Sequence, residues 1–330
     1  MKNLLCALML TASFSQAAPA DDANDPKKAY LTASEAGADF AVQGEYAGGI
    51  KTNDGEFKLG VQVISEGAGK LAWAAYVGGL PGDGWDGNAP LRGMGEKQGA
   101  TGILKGETGR GEAKDGSLTI YGSDNTRVGD LPKNPRVSPT IGRKPPEGAV
   151  VLFDGTTTDH FEGGRLTDDK LLMQGVTSKE KFGSCALHVE FMTSFMPNAR
   201  GQARSNSGCY LQGRYEVQML DSFGLNGDDN ECGGIYEIRK PNVNMCFPPL
   251  SWQTYDIEYH AAKFDAAGKK TADAWMTVKH NGVTIHDKVK LPQGTRAAPV
   301  AEGPEDGPIY LQDHGDPLRY QNIWVKPIEG

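Results

Sequence analysis

Helical periodicity is missing from this sequence: no stretch of twelve residues carries a convincing apolar face at 3.6-residue spacing, which argues against a helical bundle. Long hydrophobic runs are missing too. Nothing past the first ten residues approaches eighteen consecutive apolar residues, so no membrane span is expected. There is no C-x-x-C pair, no H-E-x-x-H and no G-x-S-x-G, which sets aside zinc ribbons, thioredoxin-like redox sites, zincins and serine hydrolases. The glycine-rich stretch 78–87 lacks the strand–loop–helix setting and the Lys-Ser/Thr ending of a phosphate cradle. Positive charge is scarce, with 34 Lys and Arg against 42 Asp and Glu and a net charge of −8. Nucleic acid and anionic membranes are therefore poor partners. Histidine first occurs at His160 and, apart from Cys6, cysteine first occurs at Cys185. Residues 21–148 thus lack the commonest acid–base group and the commonest metal ligand, and chemistry is expected after them.

Glycine is abundant. Of 44 glycines in 330 residues, 25 fall within residues 21–148, without the Gly-X-Y period of collagen. Short β-like runs at 57–64, 71–77 and 117–121 are each bounded by glycine-rich turn signals, so residues 21–130 read as a small glycine-rich all-β domain with an accessory role. Pro132, Pro135, Pro139, Pro145 and Pro146 mark a stiff linker over 131–148, and a second domain follows over 149–330. At the other end, Lys2, the apolar run 4–10 and Ala18-Pro19-Ala20 have the layout of a signal peptide over residues 1–20 that contains Cys6. The mature protein is expected to be exported, periplasmic or extracellular. In that compartment four cysteines allow three pairings. Cys232 with Cys246 is preferred, since thirteen intervening residues rich in Gly and Pro can close a loop worth roughly 3 kcal/mol. Cys185 and Cys209 read equally well as buried thiols.

In the second domain Leu187, Val189 and Phe191 alternate with His188 and Glu190, and Tyr215, Val217 and Met219 alternate with Glu216 and Gln218. The same period of two recurs at 255–260 and 309–314. Half-buried strands of this kind predict a two-sheet antiparallel sandwich. The pairs His188/Glu190, Glu216/Gln218 and Gln312/His314 each project from one face of a strand. Gathered on a concave face they could bind a small carbohydrate, with amides and carboxylates holding hydroxyls and a carboxylate or imidazole moving protons. For any one pair a solvated face is the commoner outcome. Glu258 and His260 read as structural, His280 and His286 flank the type I′ hairpin signal Asn281-Gly282, and Trp252, Trp275 and Trp324 read as core. Asn206-Ser207-Gly208, with Arg200, Arg204 and Arg214 around it, could present amide and cationic groups to a ligand or form a plain turn.

The ordered runs SNSGCYLQGRYEVQMLD (205–221), CGGIY (232–236), WQTYD (252–256), NG (281–282) and GPIYLQDHG (307–315) resemble the family of 3-keto-disaccharide hydrolases, or 3-keto-glucoside 1,2-lyase/hydratases. VLFDG at 151–155 resembles its opening strand and 319–325 its closing one; the likeness covers about 149–330. It implies a concanavalin A-like jelly-roll β-sandwich and a glycoside substrate already oxidised at C3. The ketone acidifies the C2 proton, so a base can remove it and the C1 oxygen can leave by β-elimination, after which water adds. Residue type and facing put Glu216 first as the base and Glu190 second. They make His314, Gln218, Arg214 and Gln312 contacts for the enolate or for hydroxyls, with Asn206 and His188 as further substrate contacts. Many members carry an arginine where Gln212 stands here. A divalent metal stays an open cofactor, with His188, Glu190 and His314 as its candidate ligands. A lectin-like protein without turnover is the alternative. A direct retaining glucanase ranks last, because no Glu-x-Asp-x-x-Glu triplet occurs.

Overall fold

Runs that alternate apolar and polar residues, separated by glycine, become strands almost throughout. The structure, a computed structural model, describes residues 24–52 and 55–329. The expected signal peptide lies outside the described residues. One short helix, Gly37–Val42, precedes an antiparallel meander of eight strands. These are β1 (Gly44–Thr52), β2 (Gly55–Ser65), β3 (Lys70–Val77), β4 (Leu91–Gln98), β5 (Thr101–Gly106), β6 (Gly109–Lys114), β7 (Ser117–Gly122) and β8 (Arg127–Pro132). The sheet curls until its ends meet: Tyr46 bridges Lys133, and the Asn134 N–H donates to the Glu45 carbonyl at 2.7 Å. Tyr46, Val61, Val63, Leu71, Leu104, Ala113, Leu118 and Leu131 fill its interior. This tight curl accounts for much of the glycine. A Cβ on Gly60 would lie 2.6 Å from the Gly79 carbonyl carbon, and one on Gly93 would lie 2.5 Å from the Trp73 ring, whose N–H donates to the Lys105 carbonyl at 3.1 Å.

The remaining strands are β9 (Val150–Phe153), β10 (Phe161–Glu162), β11 (Leu172–Met173), β12 (Val176–Phe182), β13 (Cys185–Thr193), β14 (Ser207–Leu211), β15 (Tyr215–Met219), β16 (Trp252–His260), β17 (Lys263–Phe264), β18 (Lys270–Ala272), β19 (Ala274–His280), β20 (Val283–Leu291), β21 (Gly307–Leu311) and β22 (Leu318–Pro327). They build a jelly-roll sandwich. One sheet runs β10-β12-β21-β14-β15; the other runs β11-β22-β13-β16-β19-β20, with β9 also on β22, and β17 and β18 form a separate ribbon. Leu187, Val189 and Phe191 from one sheet and Cys209, Leu211, Val217, Ile309 and Leu311 from the other meet in one core. Asn281 and Gly282 both take positive φ, as the predicted hairpin turn between β19 and β20 requires. Among the described residues no helix is long and apolar enough to cross a membrane.

Residues 138–143 lie on the outer face of the β13–β16–β22 sheet. The Ser138 and Thr140 hydroxyls sit 2.6 and 2.7 Å from that of Thr254, and the Gly142 N–H donates to Glu190 Oε1 at 2.6 Å. Arg143 pairs with Asp256 at 2.9 Å while its carbonyl accepts the Trp324 indole N–H. Arg136 is a two-sided tie: its guanidinium forks onto the Glu45 carboxylate at 2.5 and 2.7 Å and lies over the Phe247 ring. The meander also packs directly on the sandwich, with Ile64 in the sandwich core and Arg204 donating both to Asp221 and to the Ser65 carbonyl.

The expected Cys232–Cys246 bridge is not formed. Cys185, Cys209, Cys232 and Cys246 are all free, buried thiols. Cys232 and Cys246 nonetheless sit side by side, within hydrogen-bonding reach of each other; Cys232 Sγ also lies 3.2 Å from the Tyr255 hydroxyl, and Cys246 Sγ lies 3.5 Å from the Leu220 and Phe247 carbonyls.

Candidate active site

Two residues at positive φ, Gln212 and Gly213, turn the chain between β14 and β15 and set the register Tyr210–Glu216 and Gly208–Gln218. Because Tyr210 also faces Tyr310, and Tyr310 faces Thr177, one row of side chains crosses four strands on the outer face of the β14–β15 sheet: Glu216, Tyr210, Tyr310 and Thr177. The carboxylate of Glu216 folds over Gly208. A Cβ at 208 would lie 2.0 Å from Oε1, so only glycine leaves that space. The Tyr210 hydroxyl donates to Oε2 at 2.7 Å and in turn accepts from the Gln312 amide at 3.2 Å. No described residue donates to Oε1. Glu216 is 2 % exposed, and burial pushes its carboxyl up to about 7, with the Tyr210 hydrogen bond pulling the other way. One carboxyl oxygen is thus fixed, and the other is free to take a proton near neutral pH.

Several amides share this face of the sheet. The Gln218 amide donates to Gln202 Oε1 at 3.1 Å, and the Asn206 amide donates to the same oxygen and to the Gln202 carbonyl at 2.7 Å. Asn206 Oδ1 is buried and accepts nothing. The Asn206 N–H donates to Asp316 at 2.9 Å, and burial raises the Asp316 carboxyl above its usual range. His314, two residues earlier, is exposed on the loop that follows Gln312. The expected residues Glu216, Gln218, Asn206, Gln312 and His314 therefore share one end of this sheet, joined by Tyr210, Gln202 and Asp316, which the sequence reading did not single out. An Asn-Ser-Gly run followed by Tyr was the available signal; cross-strand register was not.

Three other expected site residues belong elsewhere. His188 and Glu190 lie on the opposite sheet, beneath residues 138–143. His188 is sandwiched between Asp256 at 2.8 Å and Glu190 at 3.3 Å and stacks on Trp324. Burial disfavours its charged form, yet the hydrogen bonds to the two carboxylates outweigh this and raise it. Glu190 accepts from Gly142, Gln321 and Asn322 as well, and these donors outweigh burial to hold it below the usual carboxylate range. Glu190 is thus a clasp for the segment that crosses the sheet, and it cannot reach a substrate beside Glu216. Glu190→Gln should lower the urea midpoint by an amount equal to about 2 kcal/mol, since one donor is left facing an amide N–H, while turnover stays within twofold. A large loss of turnover with an unchanged midpoint would restore Glu190 as a base. Arg214 is likewise buried and committed, donating to the carbonyls of Ala301 and Gly303 and to Gln212 Oε1. Gln212 in turn accepts from Tyr259. The candidate metal ligands His188, Glu190 and His314 do not converge, because two sit on one sheet and the third on a loop of the other. Among the described residues no group of three or more His, Cys, Asp or Glu side chains is placed to hold a metal ion.

A jelly roll that carries one buried, readily protonated carboxyl amid amides on a sheet face is the layout of a carbohydrate-active enzyme. The chain belongs to the family of 3-keto-alpha-glucoside-1,2-lyase-like domains, whose model matches residues 148–326. It is also similar to solved structures. A Parabacteroides distasonis protein described provisionally as a glycosyl hydrolase is 29% identical over 55% of this chain and 84% of its own, with a TM-score of 0.50. A second protein of that organism, described in the same way, is 16% identical over 56% of this chain and 95% of its own, with a TM-score of 0.41. No curated protein matches the chain. Family and fold make it a glycosyl hydrolase-like enzyme.

Proposed function

We propose that the protein cleaves 3-keto-glycosides by β-elimination and then hydrates the product, outside the cytoplasm, with Glu216 as the base. The observation that carries this reading is the Glu216 carboxyl, buried over Gly208, fixed through Oε2 by Tyr210 and lifted to about 7. A retaining displacement glycosidase needs two carboxylates about 5 Å apart; the row across this face carries only Glu216, and Asp316 lies off it on the loop after Gln312, bound to the Asn206 N–H. Elimination needs one base. Glu216 Oε1 takes the C2 proton, the C1–O bond breaks, and the electron pair of the C–H bond forms the C1–C2 double bond conjugated to the C3 ketone. The departing oxygen takes up a proton. His314 and Asp316, neighbours on the loop after Gln312, are the candidate acids, and burial of the Asp316 carboxyl favours its protonated form. Water then adds its hydroxyl at C1 and a proton at C2, which Glu216 can return. The amides of Gln312, Gln218 and Asn206 are suited to sugar hydroxyls and to the C3 oxygen as it gains charge.

The test is cleavage of a 3-keto-glucoside beside its unoxidised parent, followed across pH. Only the keto compound should be cleaved. Its kcat/KM should rise about tenfold per pH unit below 7, because the base acts ionised, and fall again at the higher pH where the acid for the leaving oxygen loses its proton. Cleavage of the parent alone would overturn elimination, and binding of both without cleavage would make this a lectin-like protein.

A further inference from the structure

The free edge of β15 is lined by the segment Gly233-Gly234-Ile235-Tyr236, and this places a second tyrosine beside Glu216. Gly233 takes φ +83°, and a Cβ on Gly234 would run into the Asp229 carbonyl, so both turn positions need glycine. The Gln218 N–H donates to the Gly234 carbonyl at 2.9 Å, Ile235 bridges Val217, and the Tyr236 N–H donates to the Glu216 carbonyl at 3.2 Å. Ile235 is buried in the sandwich core with Val217. Its neighbour Tyr236 therefore projects to the outer face, directly opposite Glu216. The Cβ atoms of such a pair lie about 5 Å apart. The row that crosses this face thus extends one position further, and Glu216 stands between two phenols.

The two phenols differ in what holds them. Tyr210 is buried, and its hydroxyl is committed to Glu216 Oε2 and to Gln312. Tyr236 is half-buried, and no described residue bonds its hydroxyl. Burial, then the nearby carboxylates of Glu237 and Glu216, raise this phenol above its ordinary range, so it keeps its proton and stays a donor. Tyr310 is screened from Glu216 by Tyr210 and lies two strand spacings away, about 10 Å. Arg296 is exposed and tied to Glu237 at 2.9 Å.

We propose that Tyr236 is a further catalytic residue, donating its O–H to the C3 oxygen of the substrate as that oxygen gains charge. The inference rests on the elimination reading and adds a donor to it. When Glu216 Oε1 takes the C2 proton, the electron pair of the C–H bond forms a C2–C3 double bond, and the carbonyl pair moves onto the C3 oxygen. The phenol hydrogen-bonds that oxyanion and keeps its own proton. The pair then returns, the C3 ketone re-forms, C1 and C2 become doubly bonded, and the C1–O bond breaks toward its own acid. C2 and C3 are bonded neighbours, so base and donor must stand side by side, and one strand spacing, about 5 Å, separates the segments that carry them. A fixed donor partly out of water acts most strongly where charge develops.

The test is Tyr236→Phe, which keeps the ring and removes only the hydroxyl. Two rates are read: cleavage of a 3-keto-glucoside, and exchange of the C2 proton in heavy water on the 3-keto derivative of 1,5-anhydroglucitol, which has no glycosidic oxygen to expel. The variant should slow both about a hundredfold, the usual cost of one oxyanion donor, while the rise of kcat/KM toward pH 7 and the urea midpoint stay as in wild type. Slowed cleavage with exchange unchanged would make Tyr236 the acid for the leaving oxygen and overturn the proposal. Both rates within about threefold of wild type would overturn it too, leaving elimination intact because the wild type still cleaves. If wild type neither cleaves nor exchanges, the elimination reading fails first and the proposal falls with it.

Discussion

Glu216→Gln is expected to lower turnover of a 3-keto-glycoside about a thousandfold, in the middle of the range for loss of a positioned base. Glutamine has nearly the shape of glutamate, and its carbonyl oxygen can still accept the Tyr210 hydrogen bond made at 2.7 Å. The side chain should therefore stay over Gly208, and KM should change little. What disappears is the basic oxygen: an amide cannot take the C2 proton at any working pH. The rise of activity toward pH 7 should vanish with it. Steady-state kinetics across pH, with an unfolding curve as control, read both effects. A rate within tenfold of wild type would remove Glu216 as the base and turn attention to Asp316.

Gly208→Ala should cost about a hundredfold in kcat while leaving the same carboxylate in the chain. The new methyl would occupy a point 2.0 Å from Glu216 Oε1 and 2.9 Å from a Tyr210 ring carbon. The backbone has little room to yield, because Gly208 pairs with Gln218 on one side and its carbonyl accepts from the Gln312 N–H at 2.9 Å on the other. Alanine is compatible with the strand itself, since φ at 208 is not positive. The strain thus falls on the side chains, and the carboxylate must swing off its position. Misplacement by about 1 Å costs a reacting group on the order of a hundredfold. If Gly208→Ala keeps full activity with an unshifted pH profile, the cradle is not what positions the base.

The strands were legible because their signal is local. Alternation at 187–191 and 215–219 marks β13 and β15, and the turn chemistry of Asn281-Gly282 fixes a hairpin without reference to anything distant. The site was only partly legible. His188/Glu190 and Glu216/Gln218 look alike in sequence, each an i, i+2 pair of titrating and polar groups, but alternation does not say which sheet a strand joins. One pair sits beneath residues 138–143 and the other faces the candidate site, a difference made by contacts nearly fifty residues apart in the chain. Arg214 misled for a similar reason: its charge suggested a ligand, and the carbonyls of Ala301 and Gly303 that claim it come from a loop almost ninety residues on. Gly208 could not be picked from 44 glycines until the register of β14 against β15 set it beneath Glu216.

Holding a carboxyl out of water also makes folding a proton-linked event. Glu216 binds its proton more tightly in the folded chain, at about 7, than the ordinary value of 4.5 that an unfolded chain would show. Between those two values the folded form carries the extra proton, so raising the pH draws the equilibrium toward unfolding. This contribution is whole below about 4.5, declines through about 7 and is then spent, amounting to about 3 kcal/mol. The enzyme is therefore least well supported by this residue under the mildly alkaline conditions in which its base is fully ionised.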